Sequence, residues 1–212
     1  LTPTKSANRL SLTIEEARRG AQLRTRKNAA DQLREAAISL FIERGYDAVT
    51  VNDIVETIGV TSRTFFRHFP SKEIVVTDIY DGMNARLLEF VRLAPQGNGI
   101  RPATEFIITR WAEEYSELGP LLYKLLMQSE SLSSAMLLRG VIWQNTISTT
   151  LAECFPEIDK HMIPIWSHYI FSLMQFINKT AMLEGKTYAD SARAVIARLE
   201  TFIALFQTVS PH

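Results

Sequence analysis

From about residue 28 onward, apolar residues recur three and four positions apart, and no stretch alternates apolar with polar long enough to argue a sheet. A chain patterned that way must pack helices on helices, so the expected fold class is all-α. Glycine, which punctuates turns, occurs only nine times in 212 residues. The first clear helix runs from about Asn28 to Arg44. Leu33, Ala36, Ala37, Leu40 and Phe41 share one face, and Gly45 is the stop.

Three short helices, this first one included, lead into a long one. Thr50 stands just before Val51 with Asp53 three residues on, a pairing close to a capping box. Ile54, Val55 and Ile58 supply an apolar face, and Gly59 ends the second helix. Val60 turns inward, and Thr61 caps a third helix over Ser62–Phe66 that Pro70 stops. Ser71 caps the next helix, with Glu73 in its first turn, and this one runs to about Arg92. Short helices joined by a tight Gly-containing turn make a helix-turn-helix unit.

The segment Ala94–Pro102 holds two prolines and two glycines and reads as a linker. Beyond it, helices are expected at about 103–118, 120–129, 132–154, 161–184 and 188–207. Breaks fall at Gly119-Pro120 and Phe155-Pro156, and Gly185 ends the fourth. Upstream, Thr13-x-x-Glu16 either caps a short helix or belongs to a free tail. The expected organisation is a basic extension over 1–27, a helix-turn-helix domain over 28–74 and a helical domain over 75–212.

Composition narrows the function classes. Hydrophobic residues at 46% and charged residues at 22% exclude a disordered, collagen-like or disulfide-stapled chain. The longest apolar stretch, Ile163 to Leu183, is interrupted by His168, Gln175, Asn178 and Lys179, so no membrane span is expected. No charged-then-apolar leader opens the sequence, and the single cysteine, Cys154, suits a reducing compartment; a cytoplasmic location is expected. Net charge is zero, yet residues 1–72 carry 12 Lys/Arg against 8 Asp/Glu. Arg18, Arg19, Arg24, Arg26 and Lys27 fall within ten residues that hold no acid. Such a run is a solvated tail or the footprint of an anionic partner.

A major-groove reader presents short polar or bidentate side chains at a helix N-terminus. Thr61, Ser62, Arg63 and Thr64 fit that need, while Phe65 and Phe69 face the other way as anchors. Arg67, His68 and Lys72, together with the helix start at Thr50, are placed for phosphates. A three-helix packing module with an exposed polar edge would carry the same spacing.

Residues 30–76 resemble the DNA-binding domain of TetR-family transcriptional regulators. The resemblance rests on Ala36–Phe41, Gly45-Tyr46, Thr50-Val51-x-Asp53-Ile54, Gly59-Val60 and the run Thr64–Glu73 (TFFRHFPSKE). It implies a homodimer of all-helical subunits that binds double-stranded operator DNA, usually as a repressor, and releases it when a small effector occupies the larger domain. It also puts the recognition helix at Ser62–Phe66, with Ser62, Arg63 and Thr64 on base edges and Arg63 facing a guanine. Phe66 stands where many relatives carry Tyr, leaving apolar contact with a thymine methyl. Thr50, His68 and Lys72 match backbone-holding positions. Asn52 stands where some members place a base-reading Arg. Arg24, Arg26 and Lys27 lie where an arm would reach an adjacent groove or phosphates.

The helix at 161–184 is apolar almost all round: Ile165, Trp166, Tyr169, Ile170, Leu173, Met174, Phe176 and Ile177. Such a helix needs two surfaces to bury against, either its own core and a partner subunit or the centre of a monomer. The helix at 188–207 carries an apolar stripe of Ala192, Val195, Ile196, Leu199, Phe202, Ile203 and Phe206. In the resembled family the last two helices form the dimer interface, which points to the first alternative. For a ligand site, Trp111, Tyr115, Tyr123, Met127, Trp143 and Phe171 offer aromatic and soft apolar surface. Gln144, Asn145, His168, Gln175 and Asn178 add uncharged polar groups. That mixture suits an uncharged or weakly polar amphipathic effector.

Catalysis, cofactors and metals are not expected. His68, His161, His168 and His212 lack metal-ligand spacing, and G-x-S-x-G, Walker A and G-x-G-x-x-G segments are all missing. Glu113-Glu114 with Glu117 reads as a solvated face. The rival reading is a helical small-molecule or protein-binding module without operator specificity; the intact polar run Thr61–Lys72 argues against it.

Overall fold

Burial of one apolar stripe starts the fold. In helix α1 (Ala29–Arg44), Leu33, Ala36, Ala37 and Phe41 are buried, as their spacing requires, and Leu40 is half-buried. The computed structural model describes residues 29–97 and 99–207, with side chains described as far as Arg198. Among these residues the chain forms nine helices. The Thr13 cap, the basic run over 18–27, and the side chains of Leu199, Phe202, Ile203 and Phe206 lie outside the described residues.

Helix α2 (Val51–Ile58) opens on the expected capping box. Thr50 Oγ1 accepts from the Asp53 amide at 3.2 Å, and the Thr50 amide donates back to Asp53 Oδ2 at 2.7 Å. Gly59 closes it in the left-handed region at φ 70°, where the next amide, Val60 N–H, reaches back to Val55 O at 3.0 Å. Helix α3 spans Ser62–His68, two residues longer than expected. The restriction that Pro70 imposes falls on Phe69, which turns extended at φ −129°, so Arg67 and His68 stay helical.

Helix α4 (Lys72–Leu93) runs through two cores. Its first turns join Leu33, Phe41, Ile54 and Phe65 through Val75 and Val76. Its last turns join the larger core through Leu87, Phe90 and Val91. That core gathers Ile107 and Trp111 of α5 (Ile100–Glu114), Leu122 of α6 (Leu118–Gln128) and Ile147 of α7 (Glu130–Cys154). Trp166 and Ile170 of α8 (Met162–Glu184) and Tyr188 of α9 (Tyr188–Gln207) complete it. Trp166 Nε1 donates to Thr104 Oγ1 at 2.7 Å, so the deepest indole is satisfied.

Two expected boundaries move, for one physical reason. Pro102 and Pro120 both sit in the first turn of a helix, α5 and α6, where a missing N–H leaves no hydrogen bond unmade. The linker therefore ends at Gly99, and the break expected at Gly119-Pro120 lies upstream, at Tyr115–Glu117. Gly119 has a second role. A Cβ there would stand 1.9 Å from Tyr188 Cε2, so only glycine lets the α9 ring seat against α6. No described helix is long and apolar enough to cross a membrane.

The two cores meet at the α6–α7 corner. Leu125 and Leu132 are buried in the first core, although they lie some fifty residues beyond Val76, the core's last member on α4. Ser129 at the corner donates to Asp47 Oδ1 at 2.9 Å, and Ser131 donates to Glu73 Oε1 at 3.4 Å.

Candidate nucleic-acid interface and effector cavity

Helix α3 is held from behind. Phe65 and Phe69 are buried with ring centroids 5.6 Å apart, and the Arg34 guanidinium lies 5.3 Å from the Phe69 ring. With that side fixed, Thr61, Arg63, Phe66 and Arg67 face outward and line a shallow concavity with half-buried Thr64. Thr61 keeps its capping role, accepting from the Thr64 amide at 3.4 Å. Arg63 makes no ion pair or hydrogen bond with the described residues. Phe66 is 53% exposed.

Asn52 and Ser62 are brought together across the turn. Ser62 Oγ donates to Asn52 Oδ1 at 2.8 Å, which leaves the amide NH₂ of exposed Asn52 facing away from that bond. Thr50 is exposed beside Asp53, whose carboxyl is held below its ordinary range by the Thr50 hydrogen bonds and then by Arg44, 3.4 Å away. The exposed surface of α2–turn–α3 is therefore polar or charged except at Phe66, with Glu56 its exposed acid. His68 is half-buried at the end of α3, its ring 3.4 Å from the Arg67 guanidinium.

Lys72 departs from expectation. Its ammonium donates to Tyr46 O at 2.9 Å and to Val49 O at 2.8 Å, and it sits 4.1 Å from the centroid of the Tyr46 ring. Those contacts engage the cation in tying the α1–α2 turn to the start of α4, so in this structure it is not free for a phosphate. Arg24, Arg26 and Lys27 lie outside the described residues.

The second feature is a chamber of ≈ 80 Å³ among α4, α5, α6, α7 and α8. Of the expected ligand residues, Trp111, Tyr123, Trp143, Phe171, Gln175 and Asn178 line it. It shares a wall with an outer groove of ≈ 310 Å³, lined also by Met127 and Gln144. Three expected residues fall elsewhere, exposed Asn145 among them. Tyr115 packs beside Trp111 at 6.1 Å but outside the chamber, because it caps the end of α5. His168 is exposed on α8, its Nδ1 2.8 Å from Pro164 O. Tyr80, Met83 and Asn84 of α4 complete the wall and were missed. Their three- and four-residue spacing on the helix that joins the two cores was the available signal. Among the described residues, no three His, Cys, Asp or Glu side chains gather as a metal-holding group.

An exposed polar α3 backed by buried aromatics, with a capped α2 across a glycine turn, defines a helix-turn-helix protein on a helical body. Residues 33–79 match the family of bacterial regulatory proteins described as the tetR family. It is 40% identical over 80 residues to the transcriptional regulator TcmR of Streptomyces glaucescens, covering 37% of this chain and 35% of that one. It is 34% identical over 79 residues to the transcriptional repressor KstR2 of Rhodococcus jostii, covering 37% and 39% respectively. The matched stretch thus spans little more than a third of either relative. The fold extends further: a TetR-family regulator structure from Syntrophomonas wolfei superposes with TM-score 0.64 at 14% identity, over 82% of this chain and 93% of that one.

Proposed function

We propose that this chain is a homodimeric, sequence-specific DNA-binding regulator, most simply a repressor, acting in the cytoplasm and released from its operator by a small amphipathic effector. The observation that carries the reading is the outward face of α3, where exposed Thr61, Arg63 and Arg67 stand over a buried Phe65–Phe69 backing. In this reading residues 28–74 bind DNA, and residues 75–212 bind the effector and the second subunit. Ser62, Arg63 and Thr64 read base edges, with Asn52 beside them, and Phe66 meets a thymine methyl. Thr50, Arg67 and His68 hold phosphates, and the 1–27 extension supplies Arg24, Arg26 and Lys27 to an adjacent groove.

One short recognition helix makes too few contacts for specificity, whereas a two-fold dimer reads half-sites about 34–36 Å apart. The dimer pairs through α8 and α9. Exposed Met162, Ile165, Tyr169, Phe176 and Leu183 recur along α8 at three, four and seven residues, the spacing of a helix seam. The effector occupies the chamber. Because α4 lends Tyr80, Met83 and Asn84 to the chamber and Val75 and Val76 to the first core, filling one end shifts the other. The populated dimer then no longer spans successive grooves.

The test is titration of the full-length protein against the duplex upstream of its own gene and a scrambled duplex, at two salt concentrations. A preference for the native duplex that survives higher salt is the expected result. Equal, salt-sensitive binding to both would reduce the role to charge-driven association, and no binding at low salt would favour a ligand- or protein-binding module.

A further inference from the structure

Six buried polar side-chain atoms lack a hydrogen-bond partner among the described residues, and three of them belong to side chains that line the chamber: Tyr80 Oη, Trp111 Nε1 and Asn178 Oδ1. Trp111 is 2% exposed and Asn178 8% exposed. The contrast with the second indole in the wall is informative. Trp143 Nε1 donates to Asp81 Oδ1 at 3.0 Å, and Asp81 also accepts from Arg139, so that indole is satisfied. A buried donor and a buried acceptor left unmade in one small space mark a place built for a complementary polar group.

From this we infer, on the reading of the chamber as the effector site, that the effector is uncharged. It carries a carbonyl-type acceptor for the Trp111 N–H, an adjacent N–H or O–H donor for Asn178 Oδ1, and an apolar body that lies along the outer groove. Among the described residues, no side chain lining the chamber is Lys, Arg, His, Asp or Glu. A carboxylate or phosphate entering it would lose hydration and meet no cation. Burial also pushes the Tyr80 phenol well above its ordinary range, so that group stays a neutral hydroxyl. The chamber holds several times the ~10–15 Å³ that one water needs, room for a polar head but not for a whole effector. The groove beside it is rimmed by exposed Met127, Leu137 and Val141, which suit the apolar remainder.

The experiment is calorimetric titration of the full-length protein with four naphthalenes substituted at the same position by a carboxamide, an acetyl, an ethyl or a carboxylate group. The carboxamide should bind most tightly, then the ketone, then the ethyl compound, each step amounting to several-fold up to about tenfold. The carboxylate should give no detectable heat. Trp111→Phe should erase the gap between ketone and ethyl, and Asn178→Leu the gap between carboxamide and ketone. Either variant suffices should the other fail to fold. Gly140→Leu should abolish all binding, since a Cβ at Gly140 already stands 3.6 Å from Phe171 Cζ. If the carboxylate binds as well as the carboxamide, or all four bind equally and Gly140→Leu abolishes it, the effector site stands and this chemical class falls. If none binds, or binding survives Gly140→Leu, the site itself falls and the class with it.

Discussion

Arg63 stands exposed on α3 between Thr61 and Arg67 with no ion pair or hydrogen bond to the described residues, so its guanidinium is available to a base edge. Arg63→Ala should lose about 1–3 kcal/mol at one base position and relax the preference there, as read by selection from randomised duplexes. A uniform loss over all sequences would make it a phosphate contact instead. Lys72 should behave in the opposite way from what its sequence position suggests. Its two carbonyl acceptors lie 26 and 23 residues back along the chain, beyond the reach of any local motif. Lys72→Met should therefore destabilise the protein by about 1–3 kcal/mol in urea unfolding. It should leave the salt dependence of DNA binding unchanged, whereas loss of a true phosphate contact would lower that slope by about 0.9.

At the scale of elements, helices whose ends are decided locally were legible before any coordinates. Thr50 and Asp53, Gly59, and Thr61 act within a few residues of themselves, and α2 and α3 begin where these signals put them. The ends of α5 and α6 were not, because a proline looks the same as a helix stop and as a first-turn residue until its neighbours are placed. Gly119 carried a similar ambiguity: it read as a breaker, and it is the contact point for Tyr188. Gly119→Ala should raise helix propensity locally and still cost about 1–3 kcal/mol through overpacking of that ring. Thermal unfolding checks this, and a gain in stability would show that Tyr188 can shift aside.

For the whole molecule, apolar residues exposed along one face of α8 and buried along the other fit a helix that serves its own core and a second subunit. Replacing Ile165 and Phe176 together by Asp should yield a helical monomer in sedimentation. Operator affinity should then fall roughly 10²–10⁴-fold with the loss of the second half-site. A dimer that persists would move the interface elsewhere. The chamber was only partly legible in the sequence, and its architecture explains why. Five helices build it, and residues such as Tyr80 and Trp143 stack at 6.3 Å although distant in the chain. Aromatic composition suggests such a site, but which aromatics share it depends on packing that no local pattern encodes.

The corner where Leu125 and Leu132 enter the first core also limits how this protein can be divided or recombined. A fragment ending near residue 74 would leave behind Val75, Val76, Leu125 and Leu132, and with them the partners that Asp47 and Glu73 find in Ser129 and Ser131. Grafting residues 29–74 onto another helical body would therefore succeed only if the α6–α7 corner travelled with them. In any descendant of this chain, that corner is the seam along which the two cores must change together.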